Sequence, residues 1–337
     1  MKPILNPLSD TAPPPLKVLL LGVTGHCNLR CRMCSIWQDS KIFLSETHLA
    51  TLLNDDFVTS HVEYLGITGG EPFLNNRLET VITECSLKLR RLREISITTN
   101  GSLPKRIHTL GERIIASCTK AEVGLVFNLS LDGTESTHDL QRGVYGSFQN
   151  LISSLENLRK LSCNAKQVSI QISAVLTRWN VNAFTKLLSF AKGEKLRVVT
   201  SLPLETTGYY KTDRLDETFY LEPIQKQRLL KELNRLLFAG RTTKSLDPLS
   251  EMHLMHLIEY LNGKLRNAPC VFRRRAGCLV TAKGEVFACG GGEEFRLGHL
   301  DSESLSAILK RPESRNNRLQ SSICDRCPSI CYLQVKE

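Results

Sequence analysis

Three thiols fall within eight residues at Cys27-Asn28-Leu29-Arg30-Cys31-Arg32-Met33-Cys34, directly after the apolar run Val18-Leu19-Leu20-Leu21-Gly22-Val23. A short apolar run of this kind predicts a buried strand, which puts the cysteines on the loop leaving its C-terminal end. Thiolates are good ligands for soft metals and iron–sulfur clusters. A C-x3-C-x2-C loop supplies three ligands where a closed four-iron cluster takes four, so one iron is left open to chemistry. On spacing alone, a zinc knuckle or thiols that meet by chance fit the same triplet.

Strand and helix signals alternate after this loop. Strands are expected at 18–23, 62–68, 94–99, 126–131, 168–176 and 197–202. Between them a helix begins at Ser45, and others cover 76–91, 104–118, 146–161 and 181–191, each with apolar side chains at helical spacing. Strict alternation implies a parallel sheet with right-handed crossovers, either doubly wound and open or curled into part of a barrel. In both, ligands bind at the C-terminal ends of the strands, where the cysteine loop lies. Cys85 and Cys118 fall on apolar helical stripes and read as core residues. Cys163 has no partner at ligand spacing.

Three strand ends carry further polar motifs: Thr68-Gly69-Gly70-Glu71-Pro72, Thr98-Thr99-Asn100-Gly101, and Asn128-Leu129-Ser130-Leu131-Asp132-Gly133 followed by His138 and Arg142-Gly143. Paired glycines let the backbone approach a ligand closely, and the Glu71 carboxylate can accept from a ligand ammonium. A guanidinium such as that of Arg142 can pair bidentately with a carboxylate. Read one at a time, Gly-Gly, Glu-Pro and Asp-Gly are turn punctuation and Arg142 is a surface charge.

Taken together, the triplet, the G-G-E-P turn, the T-N-G turn and the S-L-D-G segment resemble the radical S-adenosylmethionine (radical SAM) superfamily over about residues 16–202. The family places a hydrophobic, often aromatic residue before the third cysteine; here it is Met33. The resemblance implies an α/β fold built as a partial (β/α)6 barrel. It implies a [4Fe-4S] cluster on Cys27, Cys31 and Cys34, whose open iron chelates the amino and carboxylate groups of SAM. By the same resemblance Gly69, Gly70, Glu71 and Pro72 lie against the SAM amino group. Asn100 belongs to the turn beside it, Ser130 and Asp132 lie near the methionine and ribose, and Arg142 near the carboxylate. The family chemistry is one-electron cleavage of SAM to methionine and a 5′-deoxyadenosyl radical that abstracts a hydrogen atom from an unactivated carbon. A one-electron reductant such as flavodoxin or ferredoxin is the implied partner.

Beyond residue 203 the alternation stops. A polar stretch with Tyr209, Tyr210 and Tyr220 reads as a surface linker or a lid. Pro223 opens a helix that Gly240 should stop, and Ser250 caps another ending near Gly263. His253 and His256 on that helix read as surface residues. Six cysteines then follow: Cys270, Cys278, Cys289, Cys324, Cys327 and Cys331. Residues 279–282 and 285–288 predict a hairpin around Lys283-Gly284, and a short helix is expected near 304–309. One or two hairpin thiolates plus a C-x2-C knuckle make a four-thiolate site for zinc or iron–sulfur. The Cys270, Gly284, Cys289 spacing resembles the opening of the SPASM domain or its twitch relative, which carry auxiliary four-iron clusters. The late segment is short of the seven cysteines of a two-cluster domain. One auxiliary [4Fe-4S] cluster is therefore expected, on Cys270, Cys289, Cys324 and Cys327, with Cys278 and Cys331 as alternates and Cys278 as a candidate hydrogen donor.

The expected organisation is a flexible leader over 1–15, the core over 16–202, a linker and helices over 203–266, and a small cysteine-rich α+β domain over 267–337. A composition of 41% hydrophobic and 23% charged residues is that of a globular chain. No run approaches the roughly 18 apolar residues of a membrane span, and the first residues lack the features of a signal peptide. The C-x2-C spacings then favour metal ligation in a reducing cytoplasm over disulfides, so a cytoplasmic enzyme without a membrane partner is expected. The net charge of +10 raises the question of a nucleic-acid partner. Its densest groups, at 88–93 and 273–275, read as a helix end and as neighbours of the late cysteines, and no DNA or RNA recognition motif accompanies them. The expected activity is oxidation, crosslinking or epimerisation of a peptide or protein side chain. A dehydrogenase or epimerase of an aminoglycoside-type small molecule is the alternative within the class. An iron–sulfur or zinc scaffold without catalysis, or an RNA-modifying protein, is the alternative outside it.

Overall fold

The computed structural model describes residues 15–204, 206–215, 219–312, 314 and 322–329. Six strands, β1 (Val18–Gly22), β2 (Tyr64–Thr68), β3 (Glu94–Thr99), β4 (Gly124–Ser130), β5 (Val168–Val175) and β6 (Arg197–Ser201), lie side by side in chain order, each parallel to the next. Helices fill the crossovers: α1 (Glu46–Leu53) and α2 (Asp56–His61) after β1, α3 (Leu78–Lys88) after β2, α4 (Pro104–Lys120) after β3, α5 (Ser136–Arg142) and α6 (Ser147–Ser162) after β4, and α7 (Phe184–Gly193) after β5. This is the expected partial (β/α)6 barrel.

Its two faces differ. Ile95, Ile97, Leu125, Phe127 and Leu129 point outward and are fully buried, because α4 and α6 cover that face. The alternate positions Ser96, Thr98, Asn128 and Ser130 point inward and are half-buried. Side chains on a strand alternate between faces, so β3 reads apolar outward and largely polar inward.

The C-terminal segment extends this sheet. β7 (Gly277–Val280) pairs parallel with β1, from Val18 opposite Gly277 to Leu21 opposite Val280. β8 (Glu285–Phe287) and β9 (Arg296–His299) follow antiparallel, giving a nine-stranded sheet in the order β6-β5-β4-β3-β2-β1-β7-β8-β9. β1 therefore has a hydrogen-bonded neighbour along each edge, and Val18, Leu19 and Leu21 are buried with Leu20 partly so.

Two helix boundaries differ from expectation. Gly240 does not end α8 (Pro223–Thr243); it lies inside it, where a Cβ would come within 2.3 Å of the Leu246 side chain, so the glycine admits the returning chain. α9 (Pro248–Leu261) is capped by Asp247, whose carboxylate accepts from the amides of Leu249 and Ser250, so Ser250 belongs to the first turn. His253 and His256 are not surface residues. The His253 ring bonds the Thr200 carbonyl at the end of β6. His256, 3% exposed, bonds the Cys327 carbonyl at 3.0 Å. The expected helix near 304–309 is α10 (Leu305–Lys310), capped by Ser304. Among the described residues no helix is long and apolar enough to cross a membrane.

Candidate active site

The cysteine loop is fastened on both sides by backbone hydrogen bonds. After β2, the amides of Gly70 and Glu71 donate to the carbonyls of Thr24 and His26, both at 2.8 Å. Across the loop, the amides of Arg30 and Arg32 donate to the carbonyls of Arg142 and Gln141 at the end of α5, at 3.1 and 3.0 Å. Two glycines permit this approach. A Cβ on Gly70 would lie 2.1 Å from the His26 carbonyl oxygen, and Gly143, at φ +68°, would place one 2.2 Å from that of Arg30. These glycines thus admit the cysteine loop itself. Gly70→Ala has only backbone to collide with, a strain of about 1–3 kcal/mol. The substituted protein is expected to lose iron from the triplet while retaining the iron held by the late cysteines, which iron and sulfide analysis beside circular dichroism would read.

Cys27, Cys31 and Cys34 open onto a cavity of about 330 Å³ whose wall includes Gly69, Gly70, Asn100, Ser130 and Arg142. Burial, followed by the neighbouring Cys31, pushes the Cys27 thiol up to about 12. Cys34 is pushed to about 12 in the same way, and burial raises Cys31 as well. Thiols this crowded do not ionise unaided near neutral pH; a bound metal ion or cluster deprotonates its cysteine ligands. Two donors reach the sulfurs: Arg142 Nη1 at 3.7 Å from Cys31 Sγ, and Asn100 Nδ2 at 3.9 Å from Cys27 Sγ.

Glu71, Pro72 and Asp132 do not line this cavity. Glu71 is fully buried, and its oxygens accept from Phe73 N (3.1 Å), Thr99 Oγ1 (2.7 Å) and Asn100 N (2.7 Å). Burial pushes its carboxyl up to about 7 against the pull of those donors. The side chain ties the turn after β2 to the end of β3, leaving backbone and glycines as the cavity wall. Pro72, also buried, starts a one-turn 3-10 helix, Pro72–Leu74. Asp132 Oδ2 lies 2.7 Å from Arg142 Nε and its Oδ1 accepts from Val175 N at 2.8 Å, so Asp132 aims Arg142 from behind. Behind Asp132, Asn180 Nδ2 donates to the carbonyls of Asp132 and Val175, both at 2.8 Å. His138 Nδ1 accepts from the Asp132 amide; burial, then the Arg142 charge, lowers the imidazole to about 3 and keeps it neutral.

The stretch read as a surface linker or a lid borders the site over residue 204 and residues 206–212. Leu204, Tyr210 and Thr212 line the cavity. The Tyr210 carbonyl accepts from Ser35 N at 3.2 Å, Lys211 Nζ lies 2.6 Å from Asp39 Oδ2, and Thr206 Oγ1 donates to the Gly290 carbonyl at 3.3 Å. The segment is therefore a wall shared by the cysteine loop and the C-terminal strands. Aromatic residues in a polar stretch were its only signal.

Cys270, Cys289, Cys324 and Cys327 converge on a second, small cavity walled by Phe272 and Phe295. Burial, then Cys270 and Cys327, pushes the Cys289 thiol up to about 12. Arg266 donates to the carbonyls of Ala268, Pro269, Cys327 and Ser329, and Arg273 lies 3.0 Å from Asp325, so the basic residues hold the knuckle. Cys278 lies elsewhere. It is fully buried on β7 opposite Leu19 and lines neither cavity, which removes the geometric basis for a hydrogen-donor role. Cys331 lies outside the described residues.

A tetrahedral zinc with Zn–S bonds near 2.3 Å sets its sulfurs about 3.8 Å apart. Among the described residues the one group of three ligand atoms within 4.8 Å of one another is His48, His299 and Asp301, which includes none of these thiols. Among the described residues neither cysteine set is drawn together to that spacing.

Comparison with known proteins agrees. GTP 3′,8-cyclase of Mycobacterium marinum is 29% identical over 206 residues, 58% of this chain and 53% of that one. The chain thus spans about half the length of the curated relatives it matches. The structure of anSMEcpe with bound AdoMet and Cp18Cys peptide superposes with a TM-score of 0.65 at 19% identity, over 93% of this chain and 86% of that one. Streptococcus suis SuiB bound to S-adenosylmethionine gives 0.62 at 17%, over 94% and 73%. At such identities the likeness is one of fold. A model of the radical SAM superfamily matches residues 21–191, just over half the chain, and the SPASM iron–sulfur cluster-binding domain matches residues 270–328. With the triplet, its glycine wall and the four late thiols each gathered at a cavity, this chain is an enzyme that belongs to the radical SAM superfamily and carries a SPASM iron–sulfur cluster-binding domain.

Proposed function

We propose that the protein cleaves SAM in the triplet cavity and abstracts a hydrogen atom from a peptide or protein side chain, which then gives up a second electron and leaves oxidised. The observation that carries this reading is the convergence of three thiols, the Gly69-Gly70 backbone and the Arg142 guanidinium on one cavity at the C-terminal ends of the strands. About 330 Å³ suits a ligand of SAM's size. When bound, a [4Fe-4S] cluster supplies the electron that breaks a carbon–sulfur bond of SAM, giving methionine and, after hydrogen abstraction, 5′-deoxyadenosine.

The chain's own residues bind and exclude water. Arg142, oriented by Asp132, offers donors to the SAM carboxylate, and the backbone of Gly69 and Gly70 faces its amino group. Ser130 and Ser173 offer hydroxyls to the ribose. Leu29, Met33 and Phe219 form an apolar cluster packed on Cys27 and Cys34 that keeps water from the sulfurs. The four late thiols hold one auxiliary cluster as an exit for the second electron, and a flavodoxin or ferredoxin supplies the first. A peptide substrate is favoured because structures that share this fold include anSMEcpe with bound Cp18Cys peptide and SuiB bound to its precursor peptide SuiA. A small-molecule substrate is the second reading, supported by the sequence likeness to GTP 3′,8-cyclases.

Anaerobically reconstituted, dithionite-reduced protein is expected to release 5′-deoxyadenosine from SAM. A fully iron-loaded preparation that released none would sink this reading.

A further inference from the structure

Below the triplet cavity lies a second one, of about 500 Å³, inside the barrel. Its walls are the inward side chains Ser96, Thr98, Asn128, Gln171 and Ser173, and its floor carries Glu94 and Tyr64. Thr98 and Ser173 line both cavities, so the two are neighbours along the barrel axis. A closed parallel barrel fills its interior with branched apolar side chains. This interior offers hydroxyls and amides beside the apolar Val126, Val199 and Leu249. Gln171 and Asn128 bond each other at 2.5 Å across β5 and β4, which holds their remaining polar atoms at fixed positions.

One charge in this chamber stands uncompensated. Arg197 is engaged by Asp247 at 3.6 Å and by Ser250 at 2.9 Å. The His253 ring is tied to the Thr200 carbonyl, and burial lowers its pKa and keeps it neutral. Glu94, half-buried at the first position of β3, has no cation within ion-pair distance among the described residues, and burial alone raises its carboxyl. A carboxylate facing a polar chamber without a cation is a receptor for one.

We infer that this lower chamber binds the substrate, taking a primary ammonium against Glu94 and hydroxyl or amide groups along Ser96, Asn128 and Gln171. The inference rests on the reaction proposed for the upper cavity, because it places the reacting part of the same ligand there. β3 rises about 3.3 Å per residue, so Glu94 lies about 16 Å below Thr99 at the triplet cavity. The ammonium and the reacting carbon must be separated by about that length, which exceeds one lysine side chain. An extended peptide with a lysine several residues from the reacting one meets the requirement, as does an amino sugar of about three rings, of which a two-ring fragment would carry the ammonium end.

The test is calorimetric titration of cluster-loaded, unreduced protein with acetyl-GSGSGK-amide, with the same peptide carrying norleucine for lysine, and with the amino sugar neamine. We expect one amine probe to bind and the norleucine peptide not to bind. Glu94→Gln should weaken binding at least about tenfold, roughly 1.4 kcal/mol, and Glu94→Asp should recover most of it. About 0.5 M salt should weaken binding to the unsubstituted protein, which needs no variant to fold. Binding of the peptide assigns a peptide source for the ammonium, and binding of neamine an amino sugar. No amine binding, or binding unchanged in Glu94→Gln at equal iron content and melting temperature, overturns the inference. Protein that cleaves SAM but binds no amine would sink this inference alone, and protein that binds the amine but cleaves no SAM would sink the proposed reaction alone.

Discussion

Replacing Cys27, Cys31 and Cys34 together by alanine should leave about four irons per chain where the intact protein holds about eight, and should abolish 5′-deoxyadenosine formation. The geometry makes the loss complete because no other described thiol lines the triplet cavity. Cys85 and Cys118 are buried in α3 and α4, and Cys278 is enclosed in β7. The surviving iron should be stable because the side chains that hold the late thiols do not bond Cys27, Cys31 or Cys34. Cys289 follows β8, Arg266 and His256 bond the knuckle, and Arg273 pairs with its Asp325. Iron and sulfide analysis of the triple variant therefore counts the auxiliary clusters directly. About eight remaining irons would mean a second auxiliary cluster, and zinc without sulfide would mean a structural metal in its place.

The parts of the fold visible in the sequence are those that local patterns encode. The six core strands show as apolar or alternating runs, and β3 falls at 94–99 as read. The triplet, G-G-E-P and S-L-D-G motifs mark strand ends because backbone geometry there demands glycine and polar caps. What was missed depends on contacts distant in the chain. No local pattern tells Gly277–Val280 to pair with β1 across the whole intervening core, and the seven residues of α5 are too few for a periodicity. The two histidines of α9 lie on the face that meets the Cys327 carbonyl and β6, and spacing alone cannot reveal that neighbour. Glu71 shows a subtler limit. Its identity pointed to a ligand, whereas three donors from its own neighbourhood occupy its carboxylate. The alternation Glu94-Ile95-Ser96-Ile97-Thr98 did carry the lower chamber, as a polar face on a strand whose other face is buried.

The second large effect concerns Arg142 and Asp132. Both are enclosed, with side chains 9% and 0% exposed and 2.7 Å apart. Replacing one partner leaves a charge in a site that water does not reach, so Arg142→Met should cost about 3–5 kcal/mol. Asp132→Asn should cost less than Arg142→Met, since an amide still accepts from Val175 N and the guanidinium keeps Cys31 Sγ within reach. The double variant removes both charges and should recover about 2 kcal/mol or more of the summed loss, read as a coupling energy from thermal or denaturant unfolding. Activity should not recover with stability, because the donors directed at Cys31 and at the SAM carboxylate leave with Arg142. A double variant as stable as the intact protein yet unable to cleave SAM would assign the pair to the site. Recovery of both together would make it a packing element of the barrel, and Arg142 would then hold no substrate group.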